Sequence, residues 1–284
     1  MRIALATCAT LPELFTDDQM LAEALQRRGA EAFPLVWSSE EGRTMAPDLC
    51  VLRNTWDYYL RPVEFLAWAE GMAARTTLWN PFPLVRWNHH KGYLLELATR
   101  KLSVVPTVLV KQGRHVEIAL LAGAAAWNEV VVKPAISAGA HRTGRYRAED
   151  PAAQTHLNEL TQDGDALVQP YLSSVEHYGE RSFIFIDGVF THAVRRTQAL
   201  AEGVGLDRTM ERVQPTETEL CLAREVLAAL PAAPLYARVD LAPADDGRPL
   251  LMEIEVIEPR LFLQECPEAL EALAEALVRR TPGQ

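Results

Sequence analysis

An α/β unit followed by an α+β body is the fold class the sequence predicts, from three observations. Over the first third, short apolar segments alternate with amphipathic ones, the rhythm of parallel strands joined by helices. Beyond the turn around Asn80–Pro83 the strands come in pairs closed by Asp187-Gly188 and Asp246-Gly247, with helical segments between the pairs. The 284 residues are 49 % hydrophobic, enough to bury a core in each part.

Ile3–Thr7 reads as the first strand. The opening MRIALATCAT is too short an apolar run for a secretory leader, with only Arg2 before it and Asp17 and Asp18 soon after. Thr16 and Gln19 have capping-box spacing and open a helix through Leu21 and Leu25 that stops at Gly29. Ala32–Trp37 and Leu49–Arg53 are the next strands, and a helix carrying Phe65, Leu66 and Trp68 runs over Val63–Arg75. Ligands of such sheets gather beyond the carboxyl ends of the strands. The segment Arg53–Tyr58 lies past one such end, so Arg53, Asn54, Thr55 and Asp57 are candidate substrate contacts. A capped turn with a buried tryptophan explains it equally well. A helix over Lys91–Arg100 then leads to Val104-Val105-Pro106. These readings divide the chain at 1–88, 89–168 and 169–284.

Composition removes several function classes. Lys and Arg total 28 against 38 Asp and Glu, a net charge of -10, so nothing draws the chain to a phosphate backbone and no nucleic-acid partner is expected. No stretch approaches the roughly 20 apolar residues of a membrane span, so no membrane partner is expected either. Cys8, Cys50, Cys221 and Cys266 are scattered without C-x-x-C spacing, as in a cytoplasmic protein with reduced thiols. His89, His90 and His115 lack zinc-like spacing, no Gly-x-Ser-x-Gly occurs, and no Gly-x-Gly-x-x-Gly follows the first strand.

The residues that can carry chemistry lie in the second and third segments. Val130–Pro134 is an apolar strand ending in Lys133, whose ammonium at the rim of a buried sheet needs an anionic partner. In the small-residue run that follows, Ser137, Gly139, Arg142 and Arg145 supply donors of the kind that close on phosphate oxygens. A structural turn is the competing reading, and no Gly-Lys-Ser/Thr makes the run a P-loop. Leu167–Leu172 is an apolar strand entering a linker, Gln169-Pro170-Tyr171-Leu172, able to present backbone groups to a purine edge. A two-residue turn at Asp187-Gly188 sets Glu180 opposite Arg195, either a ribose carboxylate beside a phosphate arginine or a plain cross-strand pair. The second hairpin is more informative. Its turn at Asp246-Gly247 sets Asp240 opposite Glu253 and Arg238 opposite Glu255, with Val239, Leu241, Met252, Ile254 and Val256 facing the core. Carboxylates crowded in this way suit Mg²⁺ or Mn²⁺, with phosphates and water completing the shell. A solvated acidic face with an Arg238–Glu255 pair is the alternative.

In this order the motifs resemble those of the ATP-grasp superfamily over about residues 90–260, in particular the branch holding bacterial glutathione synthetase and the cyclo-ligase that makes cycloserine from O-ureidoserine. The resemblance implies an ATP-grasp fold with an N-terminal pre-grasp α/β domain. It makes Lys91 and Lys133 the nucleotide-phosphate lysines, Ser137–Arg145 a loop closing over the phosphates, and Gln169–Leu172 the adenine linker. Glu180 would hold the ribose, and Asp240, Glu253 and Glu255 two Mg²⁺ ions. Arg196 and Arg195 would contact the acyl-phosphate end of the substrate, and Arg260 is counted with them as catalytic. Two departures stand out. Glu255 occupies a position where many members have Asn, and Glu258-Pro259-Arg260-Leu261-Phe262 replaces an Asn-Pro-Ser-like ending.

The activity so implied is ADP-forming C–N ligation of a small carboxylic acid and an amine, from two molecules or within one. A homodimer joined through the N-terminal units is also implied. The rivals are a nucleotide sensor without ligase activity and a small-molecule kinase. Intact Lys133, Asp240, Glu253 and Glu255 argue against the first, and ADP formed without free phosphate marks the second.

Overall fold

The computed structural model describes residues 1–198 and 207–280. Its N-terminal unit contains β1 (Arg2–Thr7), α1 (Thr16–Arg27), β2 (Glu31–Val36), α2 (Glu40–Thr44), β3 (Leu49–Asn54), α3 (Pro62–Arg75), β4 (Thr77–Trp79) and α4 (Phe82–Asn88). The strands pair in parallel in the order β2-β1-β3-β4. Strand alternation builds two cores from one strand: Ile3 and Leu5 join Leu21 and Leu25, while Ala4 and Ala6 join Phe65 and Trp68.

The expected capping box at Thr16 does not form. Phe15 is the N-cap, and the Gln19 amide turns back to the carbonyls of Glu13 and Leu14 at 3.0 and 3.1 Å. The helix does stop at Gly29, whose φ of +82° allows the closing bonds Gly29 N–H to Gln26 O and Ala30 N–H to Leu25 O. A true capping box joins Thr216 and Glu219 instead.

The second part begins with α5 (Tyr93–Thr99), which leaves Lys91 in the turn before the helix rather than inside it. Next come β5 (Val108–Val110), α6 (Ile118–Ala125), β6 (Glu129–Pro134), β7 (Gly144–Arg147), α7 (Pro151–Asp163) and β8 (Ala166–Pro170). These strands form an antiparallel sheet in the order β5-β8-β6-β7. Strand β8 runs across the expected division at 168/169, so the chain leaves this sheet only after Pro170.

The third part holds β9 (Glu180–Ile186), β10 (Val189–Gln198), β11 (Asp207–Val213), α8 (Glu217–Ala228), β12 (Tyr236–Pro243), β13 (Pro249–Glu255) and α9 (Pro267–Arg279). Its strands form an antiparallel sheet ordered β11-β10-β9-β12-β13. The apolar stripe of α9, with Leu270, Leu273 and Leu277, fills one core with Ile3, Leu5, Ile184 and Ile186, binding the N-terminal unit to this sheet. The outer edge of β13 is covered. Leu251 pairs with Ser103 and Val105 through backbone bonds of 2.8 and 3.0 Å, and Asn88 and Tyr93 bond the backbone of Ile254 and Val256.

Both hairpins carry a bulge. Asp187 and Gly188 have φ of +52° and +77°, the two-residue turn expected, and Val189 opposes Ile186. A register shift at Thr191 then moves Glu180 opposite Arg196 instead of Arg195. In the second hairpin the predicted pairs Asp240–Glu253 and Arg238–Glu255 both occur. The turn there is longer than Asp246-Gly247: Ala244 N–H donates to Arg248 O, and Pro243 opposes Pro249. A shift between Asp240 and Leu241 restores the register and makes Met252 the extra residue. Met252 therefore lines the cleft beside Glu253 rather than the core face. Among the described residues no helix is long and apolar enough to cross a membrane. The cysteines are free thiols, with Cys221 exposed and the others buried.

Candidate active site

The three parts meet around a cleft of about 960 Å³. Lys91, Lys133, Ser137, Gly139, Arg142, Gln169, Pro170, Tyr171, Leu172, Glu180, Arg196, Asp240, Glu253, Glu255 and Arg260 all line it, as the sequence leads one to expect. Arg195 does not, because the bulge at Thr191 reverses its side. Its guanidinium bonds the carbonyls of Tyr178 and His177 at 2.7 and 2.6 Å and pairs with Glu211 at 2.9 Å. Nor do Arg53, Asn54, Thr55 and Asp57 reach the cleft. Arg53 and Asn54 share the carboxylate of Asp18 at 2.6 and 2.8 Å, Thr55 is buried, and Asp57 accepts from the Trp37 indole at 2.6 Å. Arg53, Asn54 and Asp57 are thus spent on bonds that brace the end of β3, while the Thr55 hydroxyl is buried without a described partner. The segment reaches the cleft through Trp56, followed by Tyr59.

Guanidinium and carboxylate groups interlock on the polar face of β9, β10 and β12. Arg196 donates to Glu180 at 2.7 Å, to Asp240 at 3.1 Å and to the Ser182 hydroxyl at 2.9 Å. Ser182 donates to Asp240 at 2.6 Å. Arg238 grips both oxygens of Asp240, at 2.9 and 2.8 Å, and reaches Glu255 at 2.5 Å. Burial opposes the charge on Asp240, but Arg238 and Arg196 outweigh it and hold the carboxyl below its ordinary range. Arg238 thus anchors the web; its place opposite Glu255 was visible in the sequence, and the structure adds its grip on Asp240 of its own strand.

Lys91 joins two parts of the molecule. Its backbone N–H donates to Ala135 O at 2.7 Å, and its ammonium donates to Ser137 O and Glu253, each at 2.8 Å. Burial disfavours that ammonium, yet Glu253 more than compensates and raises its pKa. Burial opposes the charge on half-buried Glu253, but Lys91 and then Lys133 outweigh it and lower its pKa. Lys133 pairs with no described carboxylate, and burial depresses its pKa, with Glu253 pulling the other way. Glu255 and Glu180 are each pushed up to about 7 by burial, against Arg238 and Arg196 respectively. Glu258, missed as a site residue, is raised well above the carboxylate range by burial and then by Glu255. The donor set is hard oxygen with more buried acid than its cations hold comfortably, which fits a hard divalent ion. Among the described residues no three His, Cys, Asp or Glu side chains converge closely enough to hold one unaided.

The loop after β6 bends through left-handed residues, Gly139, Ala140 and Arg142. His141 stacks on Tyr59 with ring centroids 4.8 Å apart, and Arg142 pairs with Asp163 at 2.6 Å. Gly144 is required by close approach, since a Cβ there would meet the Tyr146 ring at 2.5 Å. Arg145 lines the cleft too, but its guanidinium is engaged: it forks onto Glu129 at 3.0 and 2.8 Å and covers the Tyr171 ring at 3.6 Å, stiffening the linker. Val131 and Met252 add apolar walls near the linker.

Residues 3–80 match the family described as the N-terminal domain of D-cycloserine synthetase DcsG. The chain is 31 % identical over 293 aligned positions to the cycloserine biosynthesis protein DcsG of Streptomyces lavendulae, covering 98 % of each. It superposes on the crystal structure of D-cycloserine synthetase DcsG with a TM-score of 0.87 at 30 % identity, over 99 % of this chain and 100 % of that one. The ATP-grasp ligase PsnB, solved with a phosphomimetic precursor variant, Mg and ADP, gives a TM-score of 0.65 at 17 % identity over 98 % of each chain, a likeness of fold. By sequence and by fold, the chain belongs to the D-cycloserine synthetase family of ATP-grasp ligases.

Proposed function

We propose that the chain uses Mg-ATP to activate the carboxylate of a small amino acid as an acylphosphate, which a nitrogen of the same molecule then attacks, a cyclo-ligation of the O-ureidoserine-to-cycloserine type. The observation that carries this reading is the convergence of Lys91, Lys133, the linker at Gln169–Leu172 and the β12–β13 carboxylates on one cleft. Lys133, which has no carboxylate of its own, offers its ammonium to a phosphate oxygen. Glu253 and Glu255 would hold the Mg²⁺, which would free Lys91, now paired with Glu253, to bind a phosphate oxygen. When bound, the ion neutralises the phosphates and makes the γ-phosphorus a better electrophile. Asp240 has its lone pairs filled by Ser182, Arg196 and Arg238, so it joins the metal set only when a guanidinium moves away. Such a move brings Arg196 or Arg238 to the acyl-phosphate oxygens.

The steps balance simply. A substrate carboxylate oxygen bonds to the γ-phosphorus as the bond to the ADP oxygen breaks. The nitrogen then adds to the acyl carbon, loses its proton and expels phosphate; with O-ureidoserine the ring nitrogen still carries a carbamoyl group, which a water must remove as carbon dioxide and ammonia to give cycloserine. The protein forms no covalent bond, and its contribution is positioning and charge stabilisation. The reading includes Mn²⁺ as a substitute ion, a cytoplasmic location, and pairing of two copies through their N-terminal units, which sedimentation velocity tests.

The function is tested by following ADP and free phosphate from Mg-ATP with a panel of amino-acid carboxylates that includes O-ureidoserine, with and without hydroxylamine. Substrate-dependent ADP and phosphate, with a hydroxamate in trapped samples, is the expected result. ADP without phosphate would make the protein a kinase, and nucleotide binding without turnover a sensor.

A further inference from the structure

Glu258 lines the cleft with a carboxyl group that the ligase reading leaves unused. Its residue is 8 % exposed, it lines the cleft, and its carboxylate accepts no hydrogen bond from any described residue. The nearby cations are committed: Lys91 to Glu253 and Ser137 O, Arg238 to Asp240 and Glu255. A buried carboxylate without a partner is costly, so the cleft is built to receive one.

The backbone that carries Glu258 is fixed at successive carbonyls. The Trp56 indole donates to Glu258 O at 3.0 Å, Arg53 donates to Pro259 O at 3.0 Å, and Arg238 donates to Arg260 O at 3.5 Å. Arg53 is itself locked to Asp18 at 2.6 Å. The carboxylate is therefore carried on a fixed backbone in a cleft that Trp56 and Tyr59 also line, aromatic residues of the kind that attract a cation. Two residues on, Arg260 lines the same cleft, so one short segment presents a carboxyl and a guanidinium to it.

We propose that Glu258 is the specificity residue for the α-ammonium group of the substrate, restricting the enzyme to carboxylic acids with a free, protonated α-amine. The proposal rests on the ligase reading above. It assigns Arg53 and Trp56 the role of positioning residues that hold the Glu258 backbone.

The test compares an α-amino acid substrate with its des-amino analogue, in wild type and in Glu258→Gln, reading ADP and phosphate release. Wild type should prefer the amino acid by about 10²-fold in kcat/KM, since a desolvated ion pair is lost without it. In Glu258→Gln the amino acid should fall by about 10²-fold while the analogue is unchanged, so that discrimination collapses. The KM for ATP should stay within about threefold in that variant, which shows the nucleotide site intact. Glu258→Asp, which keeps the charge on a shorter arm, should restore part of the preference and serves if the glutamine variant does not fold. Undiminished discrimination in Glu258→Gln would overturn the proposal, as would an increased Mg²⁺ requirement as its sole defect. If wild type activates no carboxylate, the ligase reading fails and takes the proposal with it; if wild type is active and the variant discriminates equally, the proposal alone fails.

Discussion

The two hairpins of the third sheet deliver charge to the cleft in opposite ways. In β9–β10 the bulge at Thr191 brings Arg196 beside Glu180 and onto Asp240, and the charges satisfy one another inside the protein; the Arg196 and Asp240 side chains are 8 % and 1 % exposed. In β12–β13 the bulge at Met252 leaves Glu253 and Glu255 25 % and 23 % exposed, each engaged through a single oxygen by a described residue. One hairpin completes a web that needs no ligand, and the other keeps oxygens facing the cleft. Carboxylates paired across one strand thus divide into a structural acid, Asp240, and two acids available for chemistry.

That division is open to direct challenge. Glu253→Gln should lower kcat by roughly 10³-fold, about 4 kcal/mol of transition-state stabilisation, while its partly solvated pair with Lys91 leaves stability within about 2 kcal/mol of wild type. Asp240→Ala should do the reverse in kind, costing roughly 3–5 kcal/mol of folding stability because Arg196 and Arg238 lose their common counter-ion. Denaturant unfolding and steady-state rates on the two variants check both; equal stability losses would erase the distinction. Lys133→Met should raise the KM for ATP by roughly 10–100-fold with little change in the unfolding midpoint, the loss of one charge-assisted bond to phosphate.

Next to the Thr191 bulge, buried His192 has its pKa pushed down to about 4 by burial and then by Arg212. The folded protein therefore binds fewer protons there than the unfolded chain. Its stabilising contribution is present above about pH 6.5 and is lost as pH falls toward 4, up to roughly 3 kcal/mol. His192→Gln should flatten that part of a stability–pH profile, and an unchanged slope would count against it. The smallest effect belongs to Arg195→Ala, whose surface pairing should be worth under about 1 kcal/mol and whose kcat/KM should stay within about threefold of wild type.

The same hairpins explain what was legible before the structure. Alternation of Val239, Leu241, Ile254 and Val256 with Arg238, Asp240, Glu253 and Glu255 announces a half-polar sheet, and the pairs Asp240–Glu253 and Arg238–Glu255 follow. They follow because two irregularities cancel: the longer turn at 244–248 and the bulge at Met252 restore the register of a two-residue turn. In β9–β10 the turn is the simple one and the bulge stands alone, so Arg196 replaces Arg195. Bulges leave no compositional mark as clear as Asp-Gly, and a one-residue slip reverses every side chain beyond it. Lys133 and the linker were legible because an exposed-type residue at the end of an apolar strand is conspicuous, whereas Lys91, in a turn between two helices, was marked only by the family resemblance. Trp56 and Glu258 were not legible, because their roles depend on contacts between distant segments, such as the Trp56 indole on Glu258 O. Arg53 and Asn54 misled for the related reason that polar residues past a strand end serve equally to brace it, here through Asp18.

The most direct test of carboxylate activation follows heavy oxygen from the substrate carboxylate during turnover with Mg-ATP. Passage through an acylphosphate transfers one labelled oxygen to the released phosphate, and this is the result the account predicts. Unlabelled phosphate, formed while substrate is converted and ADP accumulates, would contradict it.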